Sequence, residues 1–273
     1  MKLIPLTGKT AYIETQWALL PLYYLTEREI VLFDSGVEPE EELLTLLEQK
    51  GLRVRAVLST HLHGDHIANN KALIDRHGTE IFAHYAELPW FREHFEDPYP
   101  VTPIPDGDTL LLEGIPFHTL HTPGHCHGHL VFITPDGVAC AGDTIMTHRE
   151  LGFARMPYME DVDRSIISME DLRHIGCPWY IVAHKGVVSG EEIDDLVEQN
   201  IQKELDLYAL LRRCLTGPME MEELVSAYIR ASGVRSEKMV AETFVRHTAR
   251  ARILALAGIG EFSVEDGMVI PRK

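Results

Sequence analysis

Residues 59–70, STHLHGDHIANN, bring His61, His63, Asp65 and His66 together directly after the apolar run 54–58. An extended backbone turns His61 and His63 to one side. Gly64 permits a tight turn, after which Asp65 and His66 open a helix and point elsewhere. One loop thus supplies two neighbouring clusters of imidazole and carboxylate, donors suited to zinc, manganese or iron. The end of a strand is also where α/β folds build their sites.

A metal needs ligands from further along the chain, and three other strand ends offer them. HTPGHCHGH places His125 after a Pro-Gly turn, VACAGDT ends on Asp143, and WYIVAHKG ends on His184. Each candidate stands where an apolar run stops. The adjoining Cys126 is expected to be a small wall residue. His129 should face the sheet or support the site from behind, and His121 should be a turn residue or such a support. His84, His94 and His118 read as surface or packing residues.

Around these stretches the pattern alternates. ALLPLYYLTEREIVLFDSG reads as two strands about a turn at Thr26–Glu29, and PEEELLTLLEQKG reads as a helix. VRAVLST, TEIFAH, TLLLEGIPFHTLHT, HLVFIT, GVACAG and WYIVAH read as strands, with helices over NNKALIDRHG and about 163–175. Many strands are joined by hairpins, which excludes a single parallel sheet. Two sheets, each covered outside by helices, satisfy the pattern. Beyond about 190 the text becomes helical: a long helix in 190–215, one in 216–233 and one in 235–258. The alternating segment 259–273 then surrounds Glu265-Asp266-Gly267, a hairpin signal. Helix, helix, helix and two-stranded wing is the order of a winged helix. The expected division is a catalytic domain over 1–202 and a winged-helix-like subdomain over 203–273.

With its elements in order (HxHxDH, a histidine after Pro-Gly, Gly-Asp and a late histidine), the chain resembles the metallo-β-lactamase superfamily over about residues 10–200. The resemblance implies an α/β fold, the αββα sandwich, with a binuclear metal site. It places one metal on His61, His63 and His125 and a second on Asp65, His66 and His184, bridged by Asp143 and by a hydroxide. Zinc is the first choice of metal, with iron or manganese as alternatives. Asp34, in VLFDSG, matches an acid that supports the ligands in this family, and Asp65 is a candidate to steer the nucleophile's proton.

The resemblance implies a hydrolase. HTPGHCHGHLVF is similar to the corresponding segment of glyoxalase II, whereas TIMTHRELGFARMP and AHKG depart from it, which widens the expected substrate to a thioester, ester or lactone. His148, Arg149 and Tyr158, in the segment after Asp143, are the candidate substrate contacts. Two alternatives stay open: a mononuclear iron oxidoreductase like persulfide dioxygenase, using His61, His125 and Asp143, and an RNA phosphodiesterase.

Composition narrows the partners. The net charge is −17 over 273 residues, which disfavours phosphate backbones and anionic membranes. Arg246, Arg250 and Arg252 would lie on a recognition helix, but the acidic tail argues for a packing lid or a homodimer element instead of nucleic-acid binding. Cys126, Cys140, Cys177 and Cys214 show no CxxC spacing, there is no signal-peptide pattern, and no apolar run reaches membrane-spanning length. The expectation is a cytoplasmic enzyme acting on a small molecule.

Overall fold

The computed structural model of the chain describes residues 1–37, 39–234 and 239–272. The first sheet begins as an antiparallel meander of β1 (Lys2–Pro5), β2 (Thr10–Glu14), β3 (Leu19–Tyr24) and β4 (Glu29–Phe33). It continues in parallel through β5 (Arg53–Leu58), β6 (Glu80–His84) and β7 (Thr102–Ile104). Parallel neighbours need crossovers. These are α1 (Glu40–Lys50), then the short α2 (Gly64–Ile67) with α3 (Asn70–His77), then a 3-10 turn with α4 (Leu88–His94). Acidic residues in the first turn of α1 and Lys50 in its last complement the helix dipole, and Gly51 closes it in the left-handed region.

The second sheet has the order β13-β12-β11-β10-β9-β8. Its strands are β8 (Thr109–Leu112), β9 (Ile115–His121), β10 (Leu130–Ile133), β11 (Val138–Gly142), β12 (Trp179–Val182) and β13 (Gly186–Ser189). Only β11 and β12 pair in parallel, and α5 (His148–Phe153) and α6 (Val162–Leu172) lie in the connection between them. Alternation along the strands separates the layers. In β4, Val31 and Phe33 join Leu58, Phe117 and Phe132 between the sheets, while Ile30 and Leu32 pack outward with Leu43, Leu47 and Leu73 of α1 and α3. On the far side, Ala139 and Val182 pack with Val162, Met169 and Leu196 under the helices. The result is the four-layer αββα arrangement.

The C-terminal elements are α7 (Ile193–Cys214), β14 (Met219–Glu220), α8 (Met221–Ser232), α9 (Met239–Gly258), β15 (Phe262–Glu265) and β16 (Met268–Pro271). The strands form a small antiparallel sheet of order β14-β16-β15. Asp266 and Gly267 both have positive φ, as the two-residue turn requires. Position 202/203 falls inside the unbroken α7. Residues 235–238, at the head of the expected third helix, and residue 273, at the end of the wing, lie outside the described residues. Leu224, Tyr228, Ile253 and Val269 join the same apolar cluster as α6 and α7, so these elements pack onto the sandwich.

Three segments differ from their reading. TLLLEGIPFHTLHT folds as the hairpin β8–β9, and 219–220, inside a stretch read as helix, pairs as β14. Residues 148–153 show no strong periodicity, yet they fold as α5. The Thr147 side chain accepts from Glu150 N–H and the Glu150 carboxylate accepts from Thr147 N–H, a reciprocal cap.

Candidate metal centre

The loop after β5 carries the first four ligand candidates. His63 is extended and precedes α2, while Asp65 and His66 lie within it. Gly124 brings His125 in. Its φ is 142°, and a Cβ there would stand 2.4 Å from Ser165 Cα at the start of α6, so only glycine fits. Gly142 does the same for Asp143: its φ is 51°, and a Cβ would meet His129 Nε2 at 2.6 Å. His184 follows β12.

These residues converge. Asp143 Oδ2 lies 3.4 Å from His66 Nε2, 3.5 Å from His125 Nε2 and 3.4 Å from His184 Nε2. His125 Nε2 is 3.0 Å from His63 Nδ1, and the His61 ring packs edge-on against His63 with centroids 4.5 Å apart. Ligand atoms of His61, His63 and His125 fall within 4.8 Å of one another, as do those of His61, His66 and Asp143, and those of Asp65, His66 and His184. His61 Nε2, His66 Nε2 and Asp143 Oδ1 are buried without a hydrogen-bond partner. Orphaned donors and acceptors in a buried space are costly, and a cation seated among them removes that cost. The residues therefore fit a metal centre.

A carboxylate behind the loop fixes the tautomers. Asp34 is 5% exposed and has φ 58°, a conformation that costs a non-glycine residue about 1 kcal/mol. Its Oδ1 accepts from Thr60 N–H at 2.7 Å, and its Oδ2 accepts from the Thr60 hydroxyl at 2.8 Å and from His66 Nδ1–H at 2.9 Å. With its proton committed to Asp34, Thr60 Oγ1 accepts from His61 Nδ1–H at 3.0 Å. The His61 ring thus turns a bare Nε2 toward the centre, and the His66 ring turns its Nε2 toward Asp143. His129, fully buried, accepts from Asp143 N–H at 3.0 Å through Nε2 and donates from Nδ1 to Thr122 Oγ1 at 2.9 Å. It positions the Asp143 backbone.

Protonation follows the environment. Burial, then the charge of neighbouring imidazoles, holds His61 well below the usual range, and burial brings His125 down to about 4 against the pull of Asp143. Burial opposes the charge of His66, but Asp143 and Asp34 outweigh it and raise that ring. Asp143 carries His184 up to about 9. Burial would raise Asp143, but His66 and His184 hold it well below the carboxylate range. Burial and then Glu87 push the Cys126 thiol well up, so it is not a thiolate nucleophile.

The centre opens into a cavity of about 540 Å³ whose walls include Asp65, Trp90, Met146, Tyr158, Met159 and Phe244. Tyr158 packs against His125 with centroids 5.3 Å apart and donates its hydroxyl proton to Glu160 Oε1 at 3.3 Å. His148 and Arg149, expected to touch a substrate, do not line this cavity. Folding of 148–153 as a helix turns them outward, where His148 meets Gln199. Trp90, Ile145, Met146 and Phe244 are among the wall residues that the sequence reading did not name.

Phe244 comes from α9, and the C-terminal elements are clamped to the cavity wall. Tyr158 contacts both the Phe244 ring, at 5.3 Å, and the His247 ring, at 5.9 Å. Thr248 Oγ1 accepts from Met159 N–H at 2.8 Å and donates to Met159 O at 3.0 Å. Arg252 donates to Pro157 O and pairs through Nη2 with Glu204 Oε1 at 2.8 Å and Oε2 at 2.6 Å, with both side chains buried. Arg246 and Arg250 both bind Glu222.

Residues 22–184 match the family model described as the metallo-beta-lactamase superfamily. The chain belongs to that superfamily. Among curated relatives it is 37% identical over 128 residues to a hydroxyacylglutathione hydrolase of Xylella fastidiosa (strain M12), covering 43% of this chain and 41% of that protein. It is 26% identical over 185 residues to an atrochrysone carboxyl ACP thioesterase of Aspergillus fumigatus, covering 66% of this chain and 53% of that protein. The chain thus spans about two fifths to one half of the length of these relatives. A metallo-beta-lactamase family protein of Thermus thermophilus shares the fold with a TM-score of 0.74 at 20% identity, over 96% of this chain and 97% of that one. Superfamily members are in general metal-binding hydrolases of small molecules, and this chain carries the matching His/Asp groups. Among the described residues no helix is long and apolar enough to cross a membrane.

Proposed function

We infer that the protein hydrolyses an acyl thioester or ester carrying an apolar acyl group, at a centre of two divalent metals, zinc first. The observation that carries this reading is Asp143, whose carboxylate stands between the His61/His63/His125 group and the Asp65/His66/His184 group within 3.5 Å of a nitrogen from each. In this reading His61, His63 and His125 hold one metal, and Asp65, His66 and His184 hold the other. A bound metal pair supplies hydroxide at neutral pH and polarises a carbonyl oxygen.

The chain's own residues do the rest. Asp34, Thr60 and His129 orient the ligands. Asp65, whose side chain is half exposed on the cavity wall, accepts the nucleophile's proton. Trp90, Met146, Met159 and Phe244 exclude water and take the acyl group. Tyr158 shapes the wall by its ring, because its hydroxyl proton is committed to Glu160. This favours an acyl substrate over a lactone whose carbonyl needs a tyrosine donor. The similarity to a hydroxyacylglutathione hydrolase and an ACP thioesterase supports the thioester class.

The C-terminal elements, read as a winged-helix-like subdomain over 203–273, serve as a cavity wall. Arg246, Arg250 and Arg252 are each paired with an acid, so among the described residues of that helix no arginine is left free for phosphate. The test is turnover of a panel of thioesters, esters, lactones and RNA by zinc-loaded protein. The reading expects thioester or ester hydrolysis and a loss of about 100-fold or more in Asp143→Ala. Asp143→Ala with a near-normal rate, or RNA as the cleaved substrate, would contradict it.

A further inference from the structure

We propose that His84, Asp106 and His121 form a second, separate site for a divalent transition metal. His84 ends β6, Asp106 lies between β7 and β8, and His121 ends β9, so three distant stretches meet. Their ligand atoms fall within 4.8 Å of one another. Asp106 Oδ1 bonds His84 Nε2 and lies 3.4 Å from His121 Nδ1. The two rings stack with centroids 4.3 Å apart and planes 19° off parallel.

The hydrogen bonding leaves this cluster short of positive charge. His121 Nε2 donates to the His127 carbonyl at 2.9 Å, so in the neutral ring Nδ1 is an acceptor. That acceptor faces a carboxylate oxygen. A dication between the three groups satisfies all of them at once.

His84 Nδ1 accepts from Ala86 N–H at 3.4 Å, which turns its Nε2 toward Asp106. Two imidazoles and one carboxylate suit zinc and its neighbours and disfavour magnesium and calcium. Asp106 and His121 border a cavity of about 370 Å³ that contains none of the ligand candidates of the main centre, so the cluster can be reached from there.

The experiment measures zinc per chain by elemental analysis of the full-length protein after equilibration with excess zinc and desalting. Wild type, Asp106→Asn and His121→Ala are compared, with thermal midpoints confirming that each is folded. Asp106 is more than half exposed, so its amide variant preserves packing. The expected result is one equivalent fewer in each variant than in wild type. A chain with Asp143→Ala should likewise lose one equivalent when Asp106→Asn is added. Equal zinc content in wild type and both variants would overturn the proposal, whatever the occupancy of the main centre.

Discussion

His66 Nδ1 donates to Asp34 Oδ2 over 2.9 Å, and the same oxygen accepts from Thr60, which in turn accepts from His61. One buried carboxylate thereby sets the tautomer of a ligand in each proposed metal group. Asp34→Ala should weaken zinc binding and kcat/KM by about 10–100-fold, as loss of a ligand's supporting partner does elsewhere. Competitive zinc titration checks this. Unchanged affinity would remove Asp34 from the site.

Arg252 and Glu204 join α9 to α7 in a space closed to water. Arg252→Met leaves the Glu204 carboxylate buried and unpaired and should cost about 3–5 kcal/mol of unfolding free energy. Adding Glu204→Leu should recover most of that loss, read by urea denaturation. The single variant should also disturb the cavity wall, because Arg252 donates to Pro157 O.

Phe244 reaches the cavity from α9, and its loss should be felt as binding. Phe244→Ala should raise KM for an apolar acyl substrate about tenfold, equivalent to ~1.4 kcal/mol of lost apolar contact, with kcat little changed. A variant with wild-type KM across an acyl series would place the substrate elsewhere.

Asp136, in the β10–β11 turn, ties the two sheets together. Its carboxylate accepts from Thr7 Oγ1 at 2.5 Å, Lys9 N–H at 3.0 Å, Thr10 N–H at 3.0 Å, Thr10 Oγ1 at 2.6 Å and Thr134 Oγ1 at 2.8 Å. Partial burial raises its pKa, but the bonds from Thr10, Thr7 and Thr134 outweigh that and leave it lowered. A folded pKa below the unfolded value means the unfolded chain binds more protons as pH falls, so this stabilisation is present above about pH 4 and fades below it. Asp136→Ala should cost about 1–3 kcal/mol at pH 7, a difference from wild type that shrinks as pH drops below about 4. Denaturation curves across that range read it.

The ligand candidates were legible because each stands where an apolar strand ends, and strand ends at one edge of a sandwich must meet. The turn glycines, Gly124 and Gly142, announce the same edge. What was not legible depends on contacts far apart in sequence. Nothing near Phe244 or His247 says that α9 abuts Tyr158; that follows from Thr248 and Arg252 reaching Met159 and Pro157 across the chain. His84 reads as packing until β7 and β9 bring Asp106 and His121 beside it. His148 and Arg149 stand on the outer side of α5, a helix set by the Thr147/Glu150 cap and not by periodicity. The cap itself, Thr-x-x-Glu, was visible in the sequence.

The most direct test of the central claim counts metals and turnover on one preparation. Metal-free Asp106→Asn protein is titrated with zinc while thioester hydrolysis and bound zinc are followed together. The account predicts binding of two equivalents, with full activity only when the second is bound. One iron per chain in protein purified without added metal, with oxygen consumed and no thioester hydrolysed at any zinc loading, would contradict it.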